Sequence, residues 1–187
     1  MNHYATFWQR FGAIWIDFLI LLPFALLSSW AESYSKSVAI VLVIPMAAFY
    51  VASSIYCHGR FGQTVGKRVL GIQVVRLTGE RIGWREAWLR SSIDVLFASL
   101  GVIGSFVALA VISDTDYYGV GWMRRGESLA AHEPAWLAWT GTATEIWIWS
   151  ELIVMLFNER RRSLHDFIAG TVVTAKTGSP VAEAHPA

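Results

Sequence analysis

Of 187 residues, 55% are hydrophobic, 14% are aromatic and only 16% are charged, and the mean hydropathy is +0.44. Soluble domains carry roughly a quarter of their residues as charges, so this composition excludes an ordinary water-soluble globule and points to an integral membrane protein. A formal charge of +1 argues against nucleic acid as a partner, and a single cysteine, Cys57, excludes an intramolecular disulfide.

Apolar runs near the ~20 residues needed to cross a hydrocarbon core alternate with basic segments, and four such runs are expected. The first extends from Trp8 to Leu27, with Trp8 and Trp30 marking two interfaces. A cleaved leader is the competing reading, because Ser29-Trp30-Ala31 loosely resembles a cleavage site. An internal aspartate is out of place in such a leader, whose apolar region runs only about 7 to 15 residues. The second run, Val38 to Tyr56, has no charge and contains Pro45, which removes a backbone hydrogen bond and favours a kink. The third, Ser91 to Ile112, carries Asp94 in its first turns and a stripe of small residues, Ala98, Gly101, Ser105 and Ala108, suited to close helix approach. The fourth lies between Thr144 and Asn158, or starts already at Trp136, and holds Glu145 and, near its centre, Glu151.

The basic residues give the orientation. Arg10, the seven Lys and Arg residues between 57 and 90, and Arg160, Arg161, Arg162 and Lys176 fall on one side, leaving Lys36, Arg124 and Arg125 for the other. The positive-inside rule then places both termini in the cytoplasm. Between the second and third runs, Arg68 to Ile82 is rich in β-branched residues and broken at Thr78-Gly79, which predicts a short strand, a turn and a return at the membrane surface. The expected fold is thus an all-α membrane protein with four transmembrane helices and a short interfacial β-like hairpin. Residues 1–176 form the membrane domain and 177–187 a flexible tail.

Asp17, in the middle of the first run, is the leading functional residue, because a carboxylate at the centre of a membrane helix costs about 2.5–3.5 kcal/mol and normally faces a partner, water or a protein interior. It reads either as a hydrogen-bonded lock or as a titratable site for a proton or a cation. Glu151 and Asp94 are further candidate ligands, since hard cations prefer several oxygen donors. Arg10 is seven residues before Asp17, about two turns and ~10.5 Å along a helix, too far for direct contact. It is placed to form a clasp with Asp166, which returns to the same membrane surface. Glu86, Arg90 and Asp94 follow at intervals of four, so Arg90 belongs either to a local ion-pair ladder or to an inward pair with Asp17 or Glu151.

Three segments carry a family resemblance: Phe7-Trp-Gln-Arg10 followed by Asp17, Phe61-Gly-Gln-Thr-Val-Gly-Lys-Arg-Val-Leu-Gly-Ile-Gln-Val-Val75, and Arg161-Arg-Ser-Leu-His-Asp166-Phe-Ile-Ala-Gly-Thr171. Together they resemble the RDD family of bacterial membrane proteins, and the likeness implies that Arg10, Asp17 and Asp166 are its eponymous arginine and two aspartates. It also implies transport of ions or small solutes, proton-coupled cation exchange among them. A long aromatic connection, Ser113 to Ala138, departs from the family pattern.

The expectation is a multi-pass, non-enzymatic transporter of the bacterial inner membrane, in contact with lipid and using an intramembrane carboxylate. Neither cofactor nor metal centre is expected, and no catalytic set is visible beyond a lone His165-Asp166 pair that offers weak support for lipid chemistry. Four spans enclose little volume, which favours a homo-oligomer. The alternative is a membrane accessory that binds another membrane protein through the small-residue stripe and the basic hairpin.

Overall fold

A computed structural model describes residues 4–176, so the expected tail, 177–187, lies outside the described residues. The chain divides into two compact units. One comprises the chain up to Leu19, Ser54–Ser91 and the stretch from Trp149 onward; the other comprises Ile20–Ser53 and Ser92–Ile148.

Helices α1 (Phe7–Glu32), α2 (Lys36–Phe61) and α5 (Ser92–Val111) are long and apolar enough to cross a membrane. Their large side chains are widely exposed, as at Leu19, Leu27 and Val41, which is the surface of chains solvated by lipid rather than water. Helix α8 (Ala135–Leu156) has 22 residues and therefore sufficient length, but it is not among the helices that qualify by hydropathy. Its threonines, tryptophans and two glutamates account for the difference. It starts at the earlier of the two expected boundaries, which moves Glu151 from the centre of a span into the C-terminal part of the helix.

The first unit is built on a small antiparallel sheet. Strand β1 (Ile72–Arg76) pairs with β2 (Thr171–Ala175) in the register Val74↔Val173. This corrects the expected local hairpin. The strand and its turn at Gly79 exist, but the return reduces to a single bridge, Val75↔Arg81, and the ladder is completed by a segment from the far end of the chain. Gly170 makes that pairing possible: at φ 65° it closes the short helix α9 (Leu164–Ala169) in the left-handed conformation, which glycine adopts without a Cβ penalty, and β2 begins at the next residue. Ala5 donates its amide to Val173 at 3.0 Å, so the start of the chain is tied to the same sheet. Ala5, Ala13, Ile72, Val74, Ile82 and Val173 form the apolar core beneath it.

Two further short helices complete this unit: α3 (Val65–Val69), capped by Thr64, and α4 (Trp84–Arg90). Helix α4 stops at Ser91 before α5 begins at Ser92, so residues 84–111 are not one continuous helix.

The second unit has its core at Ala39, Leu109, Ile112 and Tyr117. The connection that follows α5 is folded, with α6 (Asp114–Tyr118), a 3-10 turn at Trp122–Arg124 and α7 (Arg125–Ala130). The small-residue stripe of α5 divides its work. Ala108 is buried, whereas Ala98, Gly101 and Ser105 line an open groove of about 400 Å³ with residues of α2. The close approach to α8 falls instead at Gly104, where a Cβ would run into the Leu137 side chain.

Candidate functional site

Charged side chains gather in the first unit, around Asp166 at the N-terminal turn of α9. Asp166 is fully buried. Arg10 Nη1 donates to its Oδ2 at 2.7 Å, and Arg90 Nη1 donates to its Oδ1. Arg90 also donates to Thr171 Oγ1 at 2.6 Å, and that hydroxyl donates to Asp166 Oδ1 at 3.1 Å. The Ser163 amide adds a capping bond to Oδ2 at 3.1 Å. Burial alone would raise the carboxyl's pKa, but the two guanidiniums override it and hold Asp166 well below its ordinary value of 3.8. Arg162 braces the same turn: it donates to the carbonyls of Thr171 and Asp166 at 3.0 and 2.8 Å and lies over the Phe167 ring.

Arg90 therefore joins neither the ladder nor Asp17 and Glu151. The break at Ser91 puts Arg90 and Asp94 on different helices, which removes the four-residue spacing a ladder needs. Glu86 turns to the Gly83 amide at 2.7 Å and to Arg76 Nε at 3.1 Å.

Asp17 is held by other means. Its Oδ2 accepts from Thr64 Oγ1 at 2.6 Å and its Oδ1 from the Gly66 amide at 2.7 Å. These are the cap and first-turn groups of α3, so a carboxylate on α1 completes the start of a helix that follows α2. Gly66 is required by closeness: a Cβ there would meet the Ala13 carbonyl of α1 and the Asp17 carboxyl carbon. Within the motif Phe61 to Val75, Thr64 and Gly66 form a dock for Asp17.

Glu151 is used differently from the expectation as well. Its Oε1 accepts the His165 amide at 2.7 Å and its Oε2 lies 2.7 Å from His165 Nδ1. Asp94 belongs to the second unit. Among the described residues no group of three His, Cys, Asp or Glu side chains could hold a metal ion.

A further pair has no signal in the sequence. His58 on α2 is buried, with Nδ1 2.8 Å from the Ser54 carbonyl oxygen and Nε2 2.7 Å from Lys67 Nζ on α3. Removal from water and repulsion from Arg90 lower the Lys67 ammonium from 10.5 to about 7, with Arg10 adding to the repulsion and Asp166 and Asp17 opposing it.

The chain matches the RDD family over residues 4–170. It belongs to the RDD family. It is also 29% identical over 123 residues to the uncharacterized protein YckC of Bacillus subtilis (strain 168), a match that covers 61% of this chain and 78% of that relative. No solved structure matches. The chain is thus an RDD-family membrane protein with apolar helices, and the residues that give the family its resemblance fall into two assemblies. Arg10 and Asp166 belong to a guanidinium–carboxylate cluster, whereas Asp17 belongs to the α3 dock. Sequence reasoning missed Thr64, Gly66, His58, Lys67 and Thr171. Of these, only the Thr64 cap had a local signal, a hydroxyl residue directly before a short helix.

Proposed function

We propose that this RDD-family protein is a non-enzymatic transporter of the bacterial inner membrane that moves a monovalent cation, or another small solute, in exchange for protons, with Asp17 as its binding carboxylate. In this reading α8 is the fourth span and both termini are cytoplasmic. The observation that carries it is the contrast between the two aspartates. Asp166 is locked by two arginines, whereas Asp17 sits on a 26-residue apolar helix and, among the described residues, accepts from a hydroxyl and a backbone amide. Two neutral donors leave carboxylate lone pairs free, so Asp17 keeps acceptor capacity for a cation.

Proteoliposomes assayed for flux of several cations over a range of pH test this directly. Wild type is expected to move a cation against a proton gradient, and Asp17→Asn is expected to fold and lose the flux. Flux unchanged in Asp17→Asn would overturn the role of Asp17. Glu151→Gln is expected to keep transport, because Glu151 serves the α9 turn.

A second reading, a membrane accessory, is favoured by one feature: the open groove lined by Ala98, Gly101 and Ser105, a surface onto which another apolar helix fits. A protein silent in liposomes that co-purifies with a distinct membrane partner supports this reading. The same groove supports homo-oligomer formation by the transporter, measured by mass in lipid nanodiscs.

A further inference from the structure

Neither the Asp166 cluster nor the Asp17 dock supplies a hydrogen-bond partner to the Lys67 ammonium. Its Nζ lies 2.7 Å from His58 Nε2, and its hydrogen-bond partner is thus an imidazole rather than a carboxylate. Buried or part-buried ammonium groups are ordinarily paired with acids. Meeting a histidine instead has a chemical consequence.

The protons can be counted from the contacts. His58 Nδ1 lies 2.8 Å from the Ser54 carbonyl oxygen, and a carbonyl only accepts, so Nδ1 carries a hydrogen. Nε2 therefore offers a lone pair in the neutral ring, and Lys67 donates to it. Protonating both groups would set two N–H donors head to head across 2.7 Å, which is repulsive. Removing one proton from the charged pair leaves a neutral amine that still donates to Nε2. The pair accordingly alternates between one positive charge and none without breaking its contact.

We propose that Lys67 and His58 form a proton-binding site that takes up and releases one proton. Charged or titratable groups from four elements act on it: Arg10 and Asp17 from α1, Cys57 from α2, Arg90 from α4 and Asp166 from α9. Asp166 and, less strongly, Asp17 favour the charged state of the pair; Asp166 is already engaged by both arginines, which leaves Asp17 as the acid that a ligand can neutralise. The two are linked through one turn of chain, because Thr64, which donates to Asp17, also accepts the Lys67 amide at 3.4 Å.

Resting on the cation reading of Asp17, this arrangement supplies the exchange. A cation arriving at the Asp17 carboxylate cancels the negative charge that favours the protonated pair, and one proton leaves. The charge balances, with one cation bound and one proton released. Burial of the site is consistent with this, since Lys67 is lowered to about 7 from 10.5.

The test is a pH titration of the full chain in lipid nanodiscs with 15N-labelled lysine and histidine, followed by NMR. The Lys67 Nζ signal is expected to titrate near neutral pH, with the His58 ring nitrogens shifting in step. Asp17→Asn is expected to move that midpoint to lower pH. Lys67→Arg keeps a cation and a donor but cannot lose its proton near neutrality, so it should fold and abolish the titration. A Lys67 that stays charged to about pH 10, or a His58 response that persists unchanged in Lys67→Arg, overturns the site. Adding sodium or potassium to weakly buffered protein with a pH indicator dye reads the coupling separately. Titration near neutrality without proton release or liposome flux would retain the proton site and overturn the transport reading; flux with a Lys67 of ordinary basicity would do the reverse.

Discussion

The two units differ in what their most buried cations meet. In the first, charge is matched with charge, as Arg10 and Arg90 converge on Asp166. In the second, side chains dock on backbone carbonyls: Tyr117 Oη donates to Glu32 O at 2.7 Å, Lys36 Nζ to Ile112 O at 2.8 Å and Arg125 Nε to Tyr117 O at 3.0 Å. Glu32 ends α1 and Ile112 directly follows α5, where carbonyls lack intrahelical partners and carry partial negative charge. Polar groups there finish helices. In the first unit they form an electrostatic assembly, and that is where acid–base chemistry has its material.

The sharpest break in this comparison is at Asp166. Asp166→Ala strands two buried guanidiniums, and losing one partner of a buried ion pair costs about 3–5 kcal/mol. Thermal unfolding in detergent or nanodiscs should show the largest loss of any substitution considered. The pH limb has a definite sign. A carboxylate depressed in the folded state contributes fully above its ordinary value of 3.8 and loses that contribution as pH falls below it, so Asp166→Asn should flatten the acid limb of stability. Lys67 acts on the other limb. Its folded value, about 7, lies below 10.5, so between those values the unfolded chain binds more protons and stability rises with pH. Lys67→Met should remove that slope.

A smaller effect is expected at Gly66. A Cβ there meets the backbone of Ala13, which cannot move aside as a side chain can, and overpacking of this kind costs about 1–3 kcal/mol. Gly66→Ala should lower the unfolding temperature and, by displacing the amide bonded to Asp17, disturb the dock.

How far the sequence carried can be judged from these same residues. The apolar runs were legible because hydropathy is a local property: Trp8 to Leu27, Val38 to Tyr56 and Ser91 to Ile112 lie within or close to α1, α2 and α5. The first two helices run longer than the runs because polar residues continue a helix past its apolar stretch. Strand β1 was legible from its β-branched residues, but its partner was not, since β2 lies near the far end of the chain and nothing local distinguishes it from the nearer Arg81 segment. The destination of Arg90 was hidden for a different reason. Residues 84–111 read as one helical pattern, and only the stop at Ser91 separates Arg90 from Asp94. Lys67 and His58 are nine residues apart across a turn, a spacing that no periodicity flags.

In the second unit the losses should be milder. Tyr117→Phe removes one hydroxyl that satisfies the Glu32 carbonyl while keeping the buried ring. A neutral hydrogen bond contributes about 0.5–1.5 kcal/mol net, so a drop of that size is expected in unfolding measurements, well short of the loss at Asp166. An equal loss at both sites would erase the distinction between charge pairing and carbonyl docking.

Gly101→Ala should have the smallest effect and the opposite sign. Gly101 lies inside α5, and a Cβ there meets nothing within 4 Å, unlike the same change at Gly66. Glycine in a helix interior is worse than alanine by about 0.5–1 kcal/mol, because it loses more backbone freedom on folding. The isolated protein should therefore gain up to that amount. The outcome changes if Gly101 is a point of contact between copies, as the groove it lines would allow. A methyl group then keeps two helices apart, and the variant should stabilise the monomer while shifting mass in nanodiscs towards it. Measuring unfolding temperature and oligomer mass on one preparation separates the two. A stabilised protein of unchanged mass would leave the groove facing lipid and remove its support for self-association.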